Sequence, residues 1–170
     1  MTAIFLDIDG VLNTFYTKER APSKVIGIES TKVKVLSQIV DLCDGAVILS
    51  SSWKHDLGDD MTPLTPDGKY LTEKLLRHGI TISGKVHGDP TYRGAGIVDY
   101  IKAYTEIDKI LILDDEVFDY KEVGLSPFLI QTSSDKDGGL KSEHVQQAAI
   151  ILERKRTRAA LLKGIRLNRR

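Results

Sequence analysis

Apolar and polar positions alternate along the chain in two rhythms. Ala3 to Ile8 is a short apolar run, and Ala46 to Leu49, Lys109 to Leu113 and Pro127 to Ile130 repeat the pattern. Such runs predict strands covered on both faces, as in a parallel sheet. Ile80 to Val86 is a weaker run and predicts an edge strand. Between these lie stretches of helical period. Val33, Leu36, Val40 and Cys43 recur at that spacing after Ser30 and Thr31, and Asp44-Gly45 stops them. A second helix is expected from Leu71 to Arg77, closed by Gly79; Ile97, Val98, Ile101 and Tyr104 stripe a third, and Val145, Ala149 and Leu152 a fourth starting at Ser142. Strands alternating with helices predict an α/β domain of Rossmann-like, doubly wound type: a mostly parallel five-stranded sheet with helices on both faces.

Ligands in such sheets bind beyond the carboxyl ends of the strands, so the residues at those ends matter most. The first strand ends in "DIDG" (Asp7 to Gly10), the second in "SSSW" (Ser50 to Trp53) and the fourth in "DDEVFD" (Asp114 to Asp119), while "TYRGAG" puts Arg93 at the start of the third helix. Asp7, Asp9, Asp114 and Asp115 would repel one another in a bare cleft, and a hard, oxygen-seeking cation neutralises them. Mg²⁺ fits best, because it takes one or two carboxylates, keeps several waters and uses substrate phosphate as a further ligand. Arginine and serine hydroxyls suit the remaining phosphoryl oxygens, and a carboxylate among them can attack phosphorus.

Composition changes this picture little, and charge changes it at one end. The 170 residues fit one domain of ordinary size, with average composition and formal net charge zero. Cys43 is the sole cysteine, so no intrachain disulfide can form; it sits on an apolar helix face as a small core residue. No apolar stretch is long enough to span a bilayer, and the N-terminus lacks the features of a signal peptide, so a cytoplasmic setting without membrane contact is expected. From Glu153 to Arg170, however, eight basic residues stand against one acid, giving a tail of +7 on a body of −7. The chain is therefore divided into a domain at 1–152 and a basic tail or helix extension at 153–170.

The strand-end motifs resemble those of the haloacid dehalogenase (HAD) superfamily. "FLDIDGVLN" is similar to the first motif of that superfamily, "VILSSSW" to the second, "RGAGIVDYIK" to the third and "ILILDDEVFD" to the fourth, in family order. The later stretch "FLIQTSSDKDGGLKSEHVQQAAIIL" resembles the end of small HAD domains of the phage and RNA-repair type. The resemblance implies a HAD-type fold and assigns Asp7 as nucleophile and metal ligand. Asp9 becomes the acid and base that serves the leaving group and then water, with its backbone carbonyl on the metal. Ser51 donates to a phosphoryl oxygen, with Ser50 or Ser52 as alternatives in the serine run. Ser52 and Arg93 join Ser51 in holding the substrate phosphate, and Lys85 is the fallback for Arg93. Asp115 is the expected direct metal ligand, with Asp114 beside it. Asp119 is either an outer-shell residue or a solvated charge.

Other polar residues read more plainly. Trp53 is expected to pack in the core or a loop, not to stack on a base. His55, His78, His87 and His144 lack metal-ligand spacing and read as surface or loop residues, with His55 and His87 weak candidates for substrate contact.

The insertion at about Asn13 to Glu29 is only flap-sized, and Lys54 to Tyr92 must already supply a helix and the edge strand, so no large cap domain fits. An open site admits a bulky substrate such as a nucleic-acid end or a phosphoprotein, as well as small esters. The expected activity is Mg²⁺-dependent phosphomonoester hydrolysis through an aspartyl-phosphate, on nucleic-acid ends or nucleotides; the alternatives are a HAD-fold binding module with little turnover and phosphoryl transfer to an acceptor other than water. The basic tail either follows a phosphate backbone or is a solvated or docked arm with Leu161, Leu162, Ile165 and Leu167 as apolar contacts.

Overall fold

A computed structural model of the chain describes residues 1–153 and 162–165. Its centre is a five-stranded, all-parallel sheet: β1 (Thr2–Leu6), β2 (Ala46–Leu49), β3 (Ile82–Lys85), β4 (Lys109–Asp114) and β5 (Leu129–Gln131), in the order β3-β2-β1-β4-β5. The central strand is also the most uniformly covered, every residue of β1 being buried. The "ITISGKV" strand takes the edge position expected of it.

Side chains alternate between two cores, as the two-residue period of a strand requires. Ile4, Leu6, Leu111 and Leu113 face one side with α1 (Ser30–Cys43), α2 (Pro66–Leu76) and α4 (Ser142–Glu153). Ala3, Phe5, Ile110 and Ile112 face the other, against α3 (Arg93–Ala103) and the segment holding Tyr120, Val123 and Phe128. Both faces are therefore closed by apolar contact, which is why these strands read as continuous apolar runs.

The ends of several elements differ from the sequence reading. β1 ends at Leu6, two residues short of the apolar run, and Asp7 follows it at the sheet edge. Helix α2 begins at Pro66 instead of Leu71: Thr65 accepts a hydrogen bond from the Gly68 amide at 3.0 Å and Pro66 takes the first helical position. That cap and proline pair is a regular helix start, hidden by the polar stretch that follows it. Pro127 belongs to a short 3-10 turn, Ser126–Phe128, that precedes β5. Helix α1 ends where expected, with Asp44 itself in the left-handed conformation at φ 47°.

Among the described residues there is no large cap. The segment between β1 and α1 carries one antiparallel bridge, Arg20 with Ile26, and the segment after β2 holds a 3-10 helix (Ser52–Asp56), a bridge between Leu57 and Pro63, α2 and β3. Of the basic tail, Leu162 to Ile165 are described: Ile165 is buried in the second core with Leu162 packed beside it, and Lys163 is exposed. The other basic residues expected to meet a phosphate backbone lie outside the described residues. Among the described residues no helix is long and apolar enough to cross a membrane.

Candidate active site

Strand register brings the chemistry together. β1 pairs with β4 so that Leu6 lies level with Leu113, and with β2 so that Leu6 lies level with Leu49. Asp7, Asp114 and Ser50 therefore emerge side by side at the same edge of the sheet. The Asp7 amide donates to the Leu113 carbonyl at 2.9 Å and the Ser50 amide to the Leu6 carbonyl at 2.9 Å, extending both ladders by one rung.

Asp7 is buried, and Arg93 lies against it with Nη1 at 3.2 Å from Oδ2. The same nitrogen donates to Asp114 Oδ2 at 2.6 Å, and Asp114, fully buried, accepts there from the Tyr120 hydroxyl at 2.7 Å. Burial pushes the Asp7 carboxyl up to about 6 against the pull of Arg93, with the Asp114 charge adding to the rise and the Ser51 hydroxyl opposing it. Burial likewise raises Asp114. Burial alone would lower Arg93, but Asp7 and Asp114 outweigh it and hold the guanidinium charged.

The three serines separate by position. Ser51 is buried beside Asp7, Ser52 is exposed at the mouth, and Ser50 is buried with its hydroxyl unpartnered among the described residues. Asp9 stands apart from the buried carboxylates. It is exposed, and each of its oxygens is held: Asn13 donates to Oδ1 at 2.8 Å and the Trp53 indole N–H to Oδ2 at 3.1 Å. Trp53 is thus buried as expected, yet it also orients Asp9. The signal for this was its place directly after the serine run.

The acidic stretch acts as a clamp on Arg93. Phe118, at φ 31°, lays its ring 4.2 Å from the guanidinium. Asp119 accepts from the Gly94 and Ala95 amides at 2.6 and 3.0 Å, so it caps the N-terminus of α3 instead of standing as a solvated charge, and it is not one of the three carboxylates that cluster as possible metal ligands. A side chain at residue 94 would collide with it: an added Cβ would lie 2.8 Å from Asp119 Oδ1. Gly10 answers the same demand at the first strand, where φ is 73° and a Cβ would come within 2.2 Å of Asp115 Oδ2.

Asp7, Asp114 and Asp115 offer carboxylate oxygens all within 4.8 Å of one another. Three carboxylates against one guanidinium leave two formal negative charges, and the all-oxygen donor set fits a hard divalent cation. Asp114 already accepts from Arg93, Tyr120 and the Glu116 amide. Asp115 is partly exposed and receives only the Ser134 hydroxyl on its carboxylate among the described residues, so it and Asp7 have the freer oxygens.

Lys85, the fallback cation, lies elsewhere: it donates to the Leu57 carbonyl at 2.7 Å and pairs with Asp59 at 3.2 Å. Lys54 is the cation that sequence reasoning missed. It is 7% exposed and has no carboxylate partner among the described residues; burial first, then Arg93 and Lys85, push its ammonium pKa down. A lysine after Trp53 carried no pattern to mark it.

The histidines divide. His55 and His87 are exposed and His78 is half-buried at the end of α2. His144 is buried, contrary to expectation. Its Nδ1 accepts from the Lys141 amide at 3.0 Å, closing the first turn of α4, and burial lowers its pKa. Cys43 is half-buried, with its thiol 3.2 Å from the Ile39 carbonyl.

Open cavities flank the carboxylates. One of about 210 Å³ is lined by Asp9, Val25, Ser52, Trp53, Asp56 and Asp67, and another of about 520 Å³ has Asp115 in its wall. A third, of about 580 Å³, runs along α3 and meets the site only through Asp119, whose carboxylate is turned to the helix amides.

Comparison with known proteins agrees with the motifs. Residues 3–145 match the family described as "HAD domain in Swiss Army Knife RNA repair proteins". A search of the curated proteins finds no match.

Proposed function

The chain belongs to this family of HAD domains, and from that premise we propose that it is a Mg²⁺-dependent phosphomonoesterase acting on the phosphorylated ends of RNA or on nucleotides. The observation that carries the reading is the contrast between two aspartates one residue apart. Asp7 is buried against Arg93 and Ser51, whereas Asp9 is exposed and held by Trp53 and Asn13. A protein that only bound phosphate would need the cations but not this second, separately oriented carboxylate.

Asp7 and Asp115, with Asp114 behind them, would hold the cation; when bound it supplies positive charge to the phosphoryl oxygens and draws the Asp7 carboxyl into its ionised form. Asp7 attacks phosphorus in line with the leaving oxygen. A bond forms between its carboxylate oxygen and phosphorus while the ester bond breaks, and Asp9 gives its proton to the departing oxygen. Asp9 then takes a proton from water, whose oxygen attacks the same phosphorus and releases Asp7 and inorganic phosphate. Arg93 and the Ser51 hydroxyl stabilise charge on the phosphoryl oxygens throughout. Lys54, a buried ammonium without a carboxylate partner among the described residues, supplies a further cation to the same anion. The family's description names RNA repair proteins, and an uncapped site leaves room for a polymer to depart.

The test is phosphate release from an aryl phosphate and from 3′- and 5′-phosphorylated oligoribonucleotides, with Mg²⁺ and with chelator. Metal-dependent turnover that disappears in Asp7→Asn is the expected result. Absence of turnover in the wild type, with oligonucleotide still bound, would overturn it in favour of a binding module.

A further inference from the structure

We propose that Phe15 is a stacking platform for the nucleobase next to the scissile phosphate; this rests on the phosphatase reading for its phosphate but identifies a separate subsite. Phe15 is 72% exposed, although an unpartnered phenyl ring in water has no stabilising role in the fold. It is also held in place. It sits at the tip of a turn whose shoulders, Thr14 and Thr17, are buried, and the Thr14 amide donates to Thr17 Oγ1 at 2.9 Å while the Thr17 amide donates to the Thr14 carbonyl at 3.0 Å. Thr17 is anchored in turn to Glu29, and the Phe15 amide donates to the Ser134 carbonyl at 3.0 Å. The flap backbone is therefore tied to the loop after β5 while the ring stays exposed, with no ring partner among the described residues.

The ring's surroundings decide what it is free for. Phe15 lines the open cavity of about 520 Å³ together with Asp115, Glu116, Val117, Gln131 and Ser134. Because Asp115 belongs to the carboxylate cluster, a group resting on Phe15 is contiguous with a phosphate at Asp7. Charge then excludes the nucleic-acid backbone from this cavity. Its charged residues are acids: Asp115 is assigned to the cation, and Glu116, which is exposed, repels a second phosphate. A nucleobase is neutral at pH 7, flat, and able to stack on a phenyl face. Gln131 completes the subsite: its Nε2 donates to the Asp115 carbonyl at 3.1 Å, which turns the amide toward the site and leaves its oxygen to accept from a base edge. Val117, 56% exposed, offers apolar contact.

The experiment uses oligoribonucleotides with a 3′- or 5′-phosphate and 2-aminopurine at the phosphorylated nucleotide, titrated with the full chain carrying Asp7→Asn in the presence of Mg²⁺. Stacking predicts fluorescence quenching on binding that is kept in Asp7→Asn with Phe15→Tyr and lost with Phe15→Leu. It also predicts no Phe15-dependent quenching when the probe is moved three nucleotides inward. In turnover, the ratio of kcat/KM for a base-bearing end over an abasic end should fall at least about fivefold in Phe15→Leu and persist in Phe15→Tyr. Quenching unchanged by Phe15→Leu, or an equal ratio in wild type and Phe15→Leu, overturns the platform. The two readings fail separately: lost turnover with Phe15-dependent quenching sinks the phosphatase reading alone, and intact turnover without such quenching sinks the platform alone.

Discussion

Asp7 and Asp9 share a strand end but are held by different partners, and their replacements should fail differently. Asp7→Asn removes the attacking oxygen's charge and should lower kcat by roughly 10⁴-fold or more. Trp53→Phe keeps the aromatic ring but removes the indole N–H that donates to Asp9. The loss of that one hydrogen bond corresponds to roughly two- to tenfold in kcat. The deficit should appear on alkyl phosphates, whose leaving oxygen needs a proton, and shrink on aryl phosphates, which leave readily. An equal deficit on both would contradict a role for Trp53 in positioning the acid. Asp7 also carries a pH signature. Folded Asp7 binds its proton up to about pH 6, against an ordinary carboxylate value of 3.8, because burial outweighs the attraction of Arg93. A carboxyl raised in this way favours the folded state at low pH, and that contribution is lost as pH rises through this window. In chelator, Asp7→Asn should therefore raise the thermal midpoint by a few degrees at pH 7.5 and leave it unchanged below pH 4, as read by differential scanning calorimetry. An unchanged midpoint at pH 7.5 would contradict the account.

At the scale of elements, α3 is a mount for Arg93. Asp119 holds its first amides, Phe118 lies against the guanidinium, and Tyr120 fixes the Asp114 carboxylate that the guanidinium meets. Asp119→Ala leaves two amides of the first helical turn without that acceptor and should cost about 1–2 kcal/mol of stability. Urea unfolding measures that cost, and kcat should fall with it because Arg93 loses its anchor; a stability loss with unaltered kcat would contradict the mount. This connection was only half legible in the sequence. The strands, the order of the motifs and the place of Asp7, Asp114 and Asp115 could be read because apolar runs ending in charge mark sheet ends, and Arg93 because it opens a helix. The work of Asp119, Trp53 and Asn13 could not, since each acts by a hydrogen bond between segments distant in sequence or in a turn with no periodicity. His144 was misread for a related reason: a histidine whose ring reaches back to cap its own helix looks like any polar residue of a first turn. The start of α2 is hidden because Asp67 to Lys69, which follow Thr65 and Pro66, carry no apolar residue to mark a helical period.

The whole molecule is a sheet whose two apolar cores are complete without the site, which leaves one polar edge free for chemistry. The cluster of Asp7, Asp114 and Asp115 is the exception to that completeness, because like charges are held close at the end of buried strands. A divalent cation that binds there must stabilise the folded chain by mass action. Millimolar Mg²⁺ should raise the thermal midpoint of the wild type by a few degrees, and Asp115→Asn should remove most of that rise; an equal rise in both would place the cation elsewhere. The flap carrying Phe15 and the open cavities beside Asp9 and Asp115 lie on this same edge. The fold thus separates a conserving core from a working rim.

The most direct test of the central claim is to trap the covalent intermediate. The wild type, mixed with a phosphorylated oligoribonucleotide and Mg²⁺, would be quenched during turnover, reduced with borohydride and digested for mass spectrometry. The account predicts that the peptide containing position 7 carries homoserine in place of Asp7, the product of reducing an aspartyl-phosphate. Turnover with Asp7 unmodified in every quenched sample, or with the modification on another carboxylate, would contradict it.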